Sequence, residues 1–365
     1  MRISTFRSPR PARQLRTGIV AALVAGSICL TVRSRVCAAE LEEPKSAVPM
    51  GHVTKVPSSS FDTGHTGNLS ALALSRDGKT LVTGGWDGRV KIWDADGPKE
   101  RATLRKHSRG IRSLAISPDG KRAASAGQDH RAIIYDLLTA QEQQTIILDG
   151  RVLSVAFSPD NKSLLTGSGE PSHKGEMKIW DANTAEERMA WRLPREVWGT
   201  GFSLDGARVA AACGDQNAYV ADVKSGNIIL TLKHSSYVRR VAFSRDGRYL
   251  VTTFGDDGRV CVWDLGKPDD PKDTLVATFQ AHGHTLHSLA FSEDGKRVLT
   301  GAEDQAAKLW TFHDGEMKIL ATFPAHSGTV FATAFGPGGK QILTAGDGPH
   351  LKHWDVGSIR TPKTR

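Results

Sequence analysis

The chain has 365 residues, of which 24% are charged, and a formal net charge of +9 at neutral pH. Its first 39 residues carry seven of the 48 basic residues, all of them arginine, and no acidic residue. Subtracting these seven leaves 41 basic residues against 39 acidic ones, a net charge of +2. A body so close to neutral offers no broad basic face for nucleic acid, because neutralising phosphates requires concentrated positive charge, although it leaves local basic patches open.

The N-terminal segment has the layout of a secretory signal. Five arginines precede an apolar stretch at residues 18–32, and a run of small residues, Cys37-Ala38-Ala39, follows it as the expected cleavage site. This stretch of about fifteen residues is shorter than the roughly twenty that a membrane-spanning helix needs. We therefore predict a signal peptide at residues 1–39 and export of the chain to the periplasm or to the cell surface and extracellular space. A retained anchor is the alternative.

From residue 71 onward the sequence repeats one pattern seven times. In the first unit, the alternation of Leu72 and Leu74 predicts an inner strand, and a Ser-Arg-Asp-Gly turn follows at residues 75–78. A second strand at residues 81–83, a tight Asp-Gly turn and a third strand at residues 90–93 complete the unit. A fourth apolar run, such as residues 229–232 in a later unit, supplies an outer strand.

The units recur at the period of a propeller blade. The aspartates that close five successive units lie 42, 45, 41 and 42 residues apart, and tryptophans continue the series at intervals of 47 and 44. These residues are Asp94, Asp136, Asp181, Asp222 and Asp264, then Trp263, Trp310 and Trp354. A period of about 40–45 residues with four short strands predicts an all-β, seven-bladed β-propeller of four-stranded antiparallel blades.

The repeat boundaries also predict the domain organisation. The propeller should occupy residues 52–356, between a flexible N-terminal tail at 40–51 and a C-terminal tail at 357–365, and we expect a monomer. Each unit begins with the outer strand of the preceding blade, so residues 56–61 should pair with residues 351–354 and close the ring. Cys213 and Cys261 fall in strands of different blades and form either a disulfide or two buried free thiols.

These residues and spacings resemble the WD40-repeat family, in an exported, bacterial-type form, over about 305 of the 365 residues. The resemblance implies a hydrogen-bonded tetrad of His, Ser or Thr, Asp and Trp in each well-formed blade. The matching residues are His65, Thr83, Asp87 and Trp93 in blade one; His107, Ser125 and Asp129 in blade two, with Tyr135 in place of Trp; His234, Thr253, Asp257 and Trp263 in blade five; and His282, Thr300, Asp304 and Trp310 in blade six.

Three blades depart from this pattern. Blade three carries an insertion at residues 168–176, and blade four has Ala221 in the Trp position and no matching His. Blade seven keeps His326, Thr344 and Trp354, but Gly348 stands in the Asp position. We expect the sector of blades three and four to be the least stable part of the ring.

WD40 propellers dock partners on the face that carries the loops entering the inner strands and the turns between second and third strands. The resemblance implies the same face here, and its Trp, Tyr and Arg residues are types that dominate binding hot spots. The predicted partner-binding residues are Trp86, Arg112, Arg151, Trp198, Tyr237, Arg239, Asp256, His287, Glu303, Phe331 and Asp347. The function indicated is an exported scaffold for a protein or peptide partner. The alternative for these side chains is partial burial under neighbouring loops.

No catalytic residue, cofactor or metal site is predicted. Five of the 13 histidines recur once per blade, which marks a structural position, and the local trio His282, His284 and His287 has no carboxylate at a helical offset. Six aspartates belong to turns between first and second strands: Asp77, Asp119, Asp160, Asp205, Asp246 and Asp294. The alternative function is a hydrolase-like propeller enzyme with paired acids at the mouth of the channel. We expect no nucleic-acid partner and no stable membrane span after signal cleavage.

Overall fold

A computed structural model of the chain describes residues 58–266 and 274–359, together with the backbone of residues 34–36. Residues 58–266 and 274–359 form seven sheets of four antiparallel strands each, which is a seven-bladed β-propeller. The predicted fold class is confirmed. The predicted signal peptide and N-terminal tail lie outside the described residues, except for the three-residue strand β1 (Ser34–Val36). β1 pairs in parallel with Thr231–Lys233 at the outer edge of blade four.

Each blade runs from an inner strand at the central channel to an outer strand at the circumference, and β2 (Ser58–Asp62) precedes blade one. Blade one contains β3 (Leu69–Leu74), β4 (Thr80–Gly85), β5 (Val90–Asp94) and β6 (Lys99–Leu104). Blade two contains β7 (Ile111–Ile116), β8 (Arg122–Gly127), β9 (Arg131–Asp136) and β10 (Glu142–Ile147). Blade three contains β11 (Val152–Phe157), β12 (Ser163–Gly169), β13 (Gly175–Asp181) and β14 (Glu187–Leu193).

The remaining blades follow the same order. Blade four contains β15 (Val197–Phe202), β16 (Arg208–Cys213), β17 (Asn217–Asp222) and β18 (Ile228–Lys233). Blade five contains β19 (Val238–Phe243), β20 (Tyr249–Phe254), β21 (Arg259–Asp264) and β22 (Leu275–Gln280). Blade six contains β23 (Leu286–Phe291), β24 (Arg297–Ala302), β25 (Ala306–His313) and β26 (Glu316–Pro324). Blade seven contains β27 (Val330–Phe335), a 3₁₀ turn (Pro337–Gly339), β28 (Gln341–Gly346) and β29 (His350–Asp355).

β2 closes the ring by serving as the outer strand of blade seven. It pairs antiparallel with β29, so that Ser58 lies opposite Trp354 and Phe61 opposite Leu351. The predicted closure is confirmed for residues 58–61; residues 56 and 57 lie outside the described residues. Phe61 also packs edge-on against Trp93 of blade one, with ring centroids 5.5 Å apart. Strand β2 therefore joins the last blade to the first.

The hydrophobic core lies between neighbouring blades rather than within any one of them. Leu69, Leu81 and Trp93 of blade one, for example, pack with Leu343 and Leu351 of blade seven. The other core clusters likewise combine the facing sides of two adjacent sheets. A single four-stranded sheet cannot bury its apolar faces alone, so each blade depends on both of its neighbours.

The turn between the first and second strands is a repeated local device. In blade one, the Ser75 hydroxyl donates to Asp77 Oδ1 (2.6 Å), which also accepts the backbone N–H of Lys79 (3.0 Å). Gly78 adopts φ +74°, a left-handed conformation that glycine reaches without strain. Ser158 and Asp160 of blade three form the same hydroxyl–carboxylate bond. These bonds account for the Ser-x-Asp pattern of the sequence.

The predicted tetrads of blades one, two and six are confirmed. In blade one, His65 Nδ1 lies 3.0 Å from Asp87, His65 Nε2 lies 3.0 Å from Thr83 Oγ1, and the Trp93 indole donates to Thr83 Oγ1 at 2.9 Å. An ionised carboxylate can only accept, so Nδ1–H of the neutral His65 ring donates to Asp87. Nε2 then accepts the Thr83 hydroxyl, whose oxygen accepts the Trp93 indole N–H. In the other two blades the residues in contact are His107, Ser125 and Asp129, with Tyr135 bonded to Ser125, and His282, Thr300, Asp304 and Trp310.

In blade five, the predicted roles of Thr253 and Asp257 are wrong. His234 Nε2 and the Trp263 indole both bond to Thr252 Oγ1, at 2.8 and 3.0 Å, and His234 Nδ1–H donates to a backbone carbonyl, that of Leu232 (3.0 Å). Asp257 instead pairs with Arg259. Blade five has one extra residue between its second strand and its Trp, so counting back from Trp263 misplaces the hydroxyl. Counting 18 residues forward from the His, as in blades one, two and six, finds Thr252.

Blades three and four retain fragments of the tetrad. In blade three, the Trp180 indole donates to Thr166 Oγ1 at 2.9 Å. In blade four, where Ala221 replaces Trp, the Tyr219 hydroxyl donates to Asp215 Oδ2 at 2.5 Å. The turn aspartate of blade four therefore receives its donor from a different strand position.

Cys213 and Cys261 are both buried, and no disulfide joins them to each other. Cys213 donates through Sγ to the carbonyl of Arg195 (3.2 Å), and Cys261 Sγ lies 2.9 Å from Thr278 Oγ1. Burial raises the pKa of the Cys213 thiol to about 12. Of the two arrangements that the sequence left open, the structure does not show a disulfide between Cys213 and Cys261, and both side chains are buried.

We predict opposite behaviour for two adjacent threonines of blade five. Thr252→Val leaves the buried Trp263 indole and His234 Nε2 without partners, which should lower the free energy of unfolding by about 2–3 kcal/mol. The Thr253 hydroxyl is buried with no hydrogen-bond partner among the described residues. Thr253→Val should therefore raise the free energy of unfolding or change it by less than about 0.5 kcal/mol. Urea denaturation measures both. A larger loss for Thr253→Val than for Thr252→Val would contradict the assignment of Thr252 to the tetrad.

Candidate interaction face at the channel mouth

A β-bulge lies near the start of every inner strand. The pairing register of each inner strand shifts after its first residue, so the second residue has no partner on the neighbouring strand. These seven residues, which we call the bulge ring, are Ser70, Arg112, Leu153, Trp198, Arg239, His287 and Phe331. Bulges re-aim a side chain out of the sheet's alternation. Five of the eleven predicted partner-binding residues occupy this position.

Members of the bulge ring from neighbouring blades contact one another. The Arg239 guanidinium lies 4.9 Å above the Trp198 ring, and its Nη1 lies 3.4 Å from His287 Nδ1. The His287 and Phe331 rings meet edge-on at 5.3 Å, and Phe331 lies 5.3 Å from Trp86 in the β4–β5 turn. An unbroken arc of cationic and aromatic side chains therefore follows the channel mouth from blade four to blade one.

Two acidic residues of the adjoining turns support this arc. Asp256 accepts the Tyr237 hydroxyl, and Tyr237 stacks on Arg239, with 5.7 Å between guanidinium carbon and ring centroid. His287 Nε2–H donates to Glu303 Oε1 at 2.7 Å, which leaves Nδ1 as an acceptor toward Arg239. Both carboxylates are thus engaged as acceptors at the edge of the face.

The predicted residues differ in how far they reach solvent. Trp86 is 47% exposed, whereas Trp198 is half-buried beneath Arg239, which is the partial burial that the sequence left open as the alternative. Asp347 is also half-buried, because it accepts hydrogen bonds from Asn68 Nδ2 (2.7 Å) and from the backbone N–H of Thr329 (2.8 Å). Asp347 therefore links blade seven to blade one rather than presenting a free carboxylate.

Two further predicted residues lie beside the arc. Arg112 and Arg151, together with Trp198 and Glu196, line a cavity of about 210 Å³. Arg151 forms an ion pair with Glu170 of the blade-three insertion (Nε to Oε2, 3.1 Å). Burial, with Arg239 and Arg151 nearby, lowers the pKa of Arg112 to about 10, so its guanidinium stays charged at neutral pH.

Arg240 belongs to the same surface, although sequence reasoning missed it. Its Nη1 donates to the carbonyls of Trp198 (2.9 Å) and Arg239 (3.0 Å). Burial, followed by the charges of Arg239 and Arg112, lowers its pKa to about 9. Alignment of the inner strands would have revealed it, because the other six blades carry only small residues at this third position: Ala71, Ser113, Ser154, Gly199, Ser288 and Ala332.

The histidine trio does not form a metal site. His282 is committed to its tetrad, and His287 is bonded to Glu303 and Arg239. Within the parts of the chain that the structure describes, no group of three His, Cys, Asp or Glu side chains is placed to hold a metal ion. The same ranges contain no helix with the length and apolar character needed to cross a membrane.

Comparison with known proteins identifies the family. The model of the WD domain, G-beta repeat, matches six segments, at residues 55–94, 98–136, 142–181, 226–264, 273–311 and 317–355. The chain belongs to the WD40-repeat family. The longest interval between matched segments, residues 182–225, covers the outer strand of blade three and the first three strands of blade four, the blade in which Ala221 replaces Trp.

Curated WD40 relatives align over different shares of the chain. The serine-threonine kinase receptor-associated protein of Gallus gallus is 34% identical over 116 residues, which is 31% of this chain and 31% of that protein. The small ribosomal subunit protein RACK1 of Drosophila melanogaster is 32% identical over 255 residues, 68% of this chain and 79% of that protein. The chain thus spans less than a third of the length of the receptor-associated relatives.

We predict that His287 contributes to the acid sensitivity of the fold. Burial and the nearby charges of Arg239, Arg240 and Arg112 lower the pKa of His287 below 6.5. Unfolding therefore takes up a proton at this site below pH 6.5, so the stability it contributes is present at pH 7 and lost on acidification. His287→Gln removes this dependence.

The free energy of unfolding of the wild type should fall by about 1–2 kcal/mol more than that of His287→Gln between pH 7 and pH 5. Urea denaturation at each pH measures the difference. His313→Gln, at a mostly exposed site, is the control and should parallel the wild type. Parallel pH curves for His287→Gln and the wild type would contradict the prediction.

Proposed function

We propose that this chain is an exported interaction scaffold, and that the bulge ring with its adjoining turns is the face that binds a protein or peptide partner. The observation that supports this most directly is the arc from Trp198 through Arg239, His287 and Phe331 to Trp86. Four separate inner strands and one hairpin turn contribute to it. Such side chains combine a large contact area with a polar or charged group, as binding hot spots do.

The organisation of the face favours binding over catalysis. Its carboxylates at the arc, Asp256 and Glu303, serve as acceptors for Tyr237 and His287, and the mouth itself is lined by guanidinium and aromatic groups. Rigid aromatic side chains lose little entropy when a partner immobilises them. Trp86, held against Phe331 yet 47% exposed, is the best-placed anchor.

The names of the relatives support the same kind of role. One relative is named as associated with a kinase receptor and another as a protein of the small ribosomal subunit, so both names describe proteins that act beside other macromolecules. The partner proposed here is a protein or peptide.

Export is proposed from the N-terminal sequence alone: the arginine-rich start, the apolar stretch and the run of small residues.

We predict that Trp86→Ala/Phe331→Ala weakens partner binding at least about tenfold, because the change removes the exposed end of the arc. Quantitative affinity capture from cell-envelope extract identifies the partner, and titration of the purified partner measures the change. Leu204→Ala is the matched control: Leu204 is 56% exposed in the β15–β16 turn, at the opposite ends of the strands from Trp86. A partner held equally by all three proteins would contradict this assignment.

Export makes a separate prediction. The full-length chain, expressed in a bacterium, should accumulate outside the cytoplasm with Glu40 as its first residue. Leu23→Asp/Val24→Asp interrupts the apolar stretch and should leave the chain unprocessed in the cytoplasm. Cell fractionation measures where the chain accumulates, and the mass of the N-terminal peptide identifies its first residue. A wild-type chain that keeps Met1, and with it β1 on blade four, would overturn the proposed cleavage.

A further inference from the structure

Three arginines at the channel mouth have no acidic partner within the described residues, whereas eight other arginines in those ranges form ion pairs. Exposed Arg76 pairs with Glu293 at 2.7 Å, and Arg248 pairs with Asp264 at 2.9 Å. By contrast, Arg112, Arg239 and Arg240 form no ion pair with a carboxylate within the described ranges 58–266 and 274–359. Arg112 and Arg240 therefore place their charges in a poorly solvated site without a counter-charge among the described residues.

The geometry brings the three guanidinium groups to one place. Arg239 is fixed between the Trp198 and Tyr237 rings, at 4.9 and 5.7 Å. Arg240 is tied to the carbonyl of the same Trp198 (2.9 Å), and Arg112 lines a cavity with it. The shared neighbour, Trp198, places all three around one point of the channel mouth.

The fold itself does not require these charges. The position of Arg240 is occupied by Ala, Ser or Gly in the other six blades, where Ser154 and Ser288 bond directly to the next inner strand, through Thr200 (3.0 Å) and Thr333 (2.8 Å). A small residue would therefore complete blade five. Like charges gathered in a poorly solvated site raise the free energy of the empty protein, and an anion removes this cost.

The groups around the site do not neutralise it. Glu196, which lines the cavity with Arg112, accepts the backbone N–H of Ser172 at 3.1 Å and forms no ion pair within the described residues. Glu303 lies on the far side of His287, whose Nδ1 faces Arg239 as an acceptor. The Nε of Arg239 is buried without a hydrogen-bond partner among the described residues. Donors at the site thus outnumber the acceptors.

We propose that the channel mouth beside Trp198 is an oxyanion site in which Arg112 and Arg240, with Arg239, hold a phosphate or carboxylate group. The planar fork of a guanidinium matches both groups, since each offers two oxygens to parallel N–H donors. The partial burial of these guanidinium groups lowers the local dielectric constant and strengthens their attraction for an anion. The site goes beyond the proposed scaffold role, because it binds an anion whether the group belongs to a small molecule or to a side chain of a partner.

Isothermal titration of the folded protein with pyrophosphate, at about 20 mM salt to limit screening, tests the site. The wild type should bind one pyrophosphate per chain, and Arg112→Gln/Arg240→Gln should weaken binding at least about tenfold. The control, Arg76→Gln/Arg245→Gln, makes the same change in net charge on the opposite face and should bind like the wild type. No binding by the wild type, or an equal loss in the control, would overturn the site.

Two additions keep the result interpretable. Arg112→Gln alone preserves the bonds of Arg240 to Trp198 and Arg239, so it should fold and still lose affinity if the double variant is unstable. Titration with citrate and with a tetraglutamate peptide separates the sources of the anion: binding of pyrophosphate alone assigns the site to phosphate, and binding of the peptide assigns it to carboxylates of a partner. Failure of Trp86→Ala/Phe331→Ala to release a partner would leave this result intact, because the anion site is formed by the arginines beside Trp198 and includes neither Trp86 nor Phe331.

Discussion

Burial of apolar surface between adjacent sheets is the interaction on which the rest of the structure depends. Each sheet exposes two faces and can cover them only with its neighbours, so the seven blades are stable only as a closed set. Closure is made by β2, whose Phe61 reaches Trp93 of blade one while its backbone completes blade seven. Blades that lack a full tetrad, such as blade four with Ala221, remain in the ring because this packing does not depend on the tetrad.

The bulges turn this uniform scaffold into an asymmetric surface. Because the second residue of each inner strand is displaced from the ladder, its identity is free of the constraints that the core imposes on its neighbours. Ser70 uses this position to bond to the carbonyls of Gly84 and Ile111, whereas blades four to seven use it for Trp198, Arg239, His287 and Phe331. The face is therefore formed by positions at which the fold tolerates different side chains. Its aromatic and charged side chains are concentrated on the side of the ring formed by blades four to seven.

The fold could be predicted from the sequence, because local sequence patterns indicate the repeat period, the turns and the closing strand. It also identified most of the channel-mouth residues, since these follow a fixed count from each inner strand. It misplaced the tetrad hydroxyl of blade five, because one extra residue in the β20–β21 turn shifts any count made from Trp263. The surroundings of Arg240 and the hydrogen bonds of Asp347 are formed by residues of other blades. These residues are far away in the sequence, so local sequence patterns do not predict the contacts.

Photo-crosslinking in the living cell tests most directly whether the channel mouth is the working face. A photoreactive amino acid is placed at position 86 in one variant and at position 204 in another, on opposite faces of the propeller. We predict a discrete protein adduct from position 86 that is absent from position 204. Adducts from position 204 alone, or equal adducts from both, would contradict the proposed interaction face and place the binding surface elsewhere on the ring.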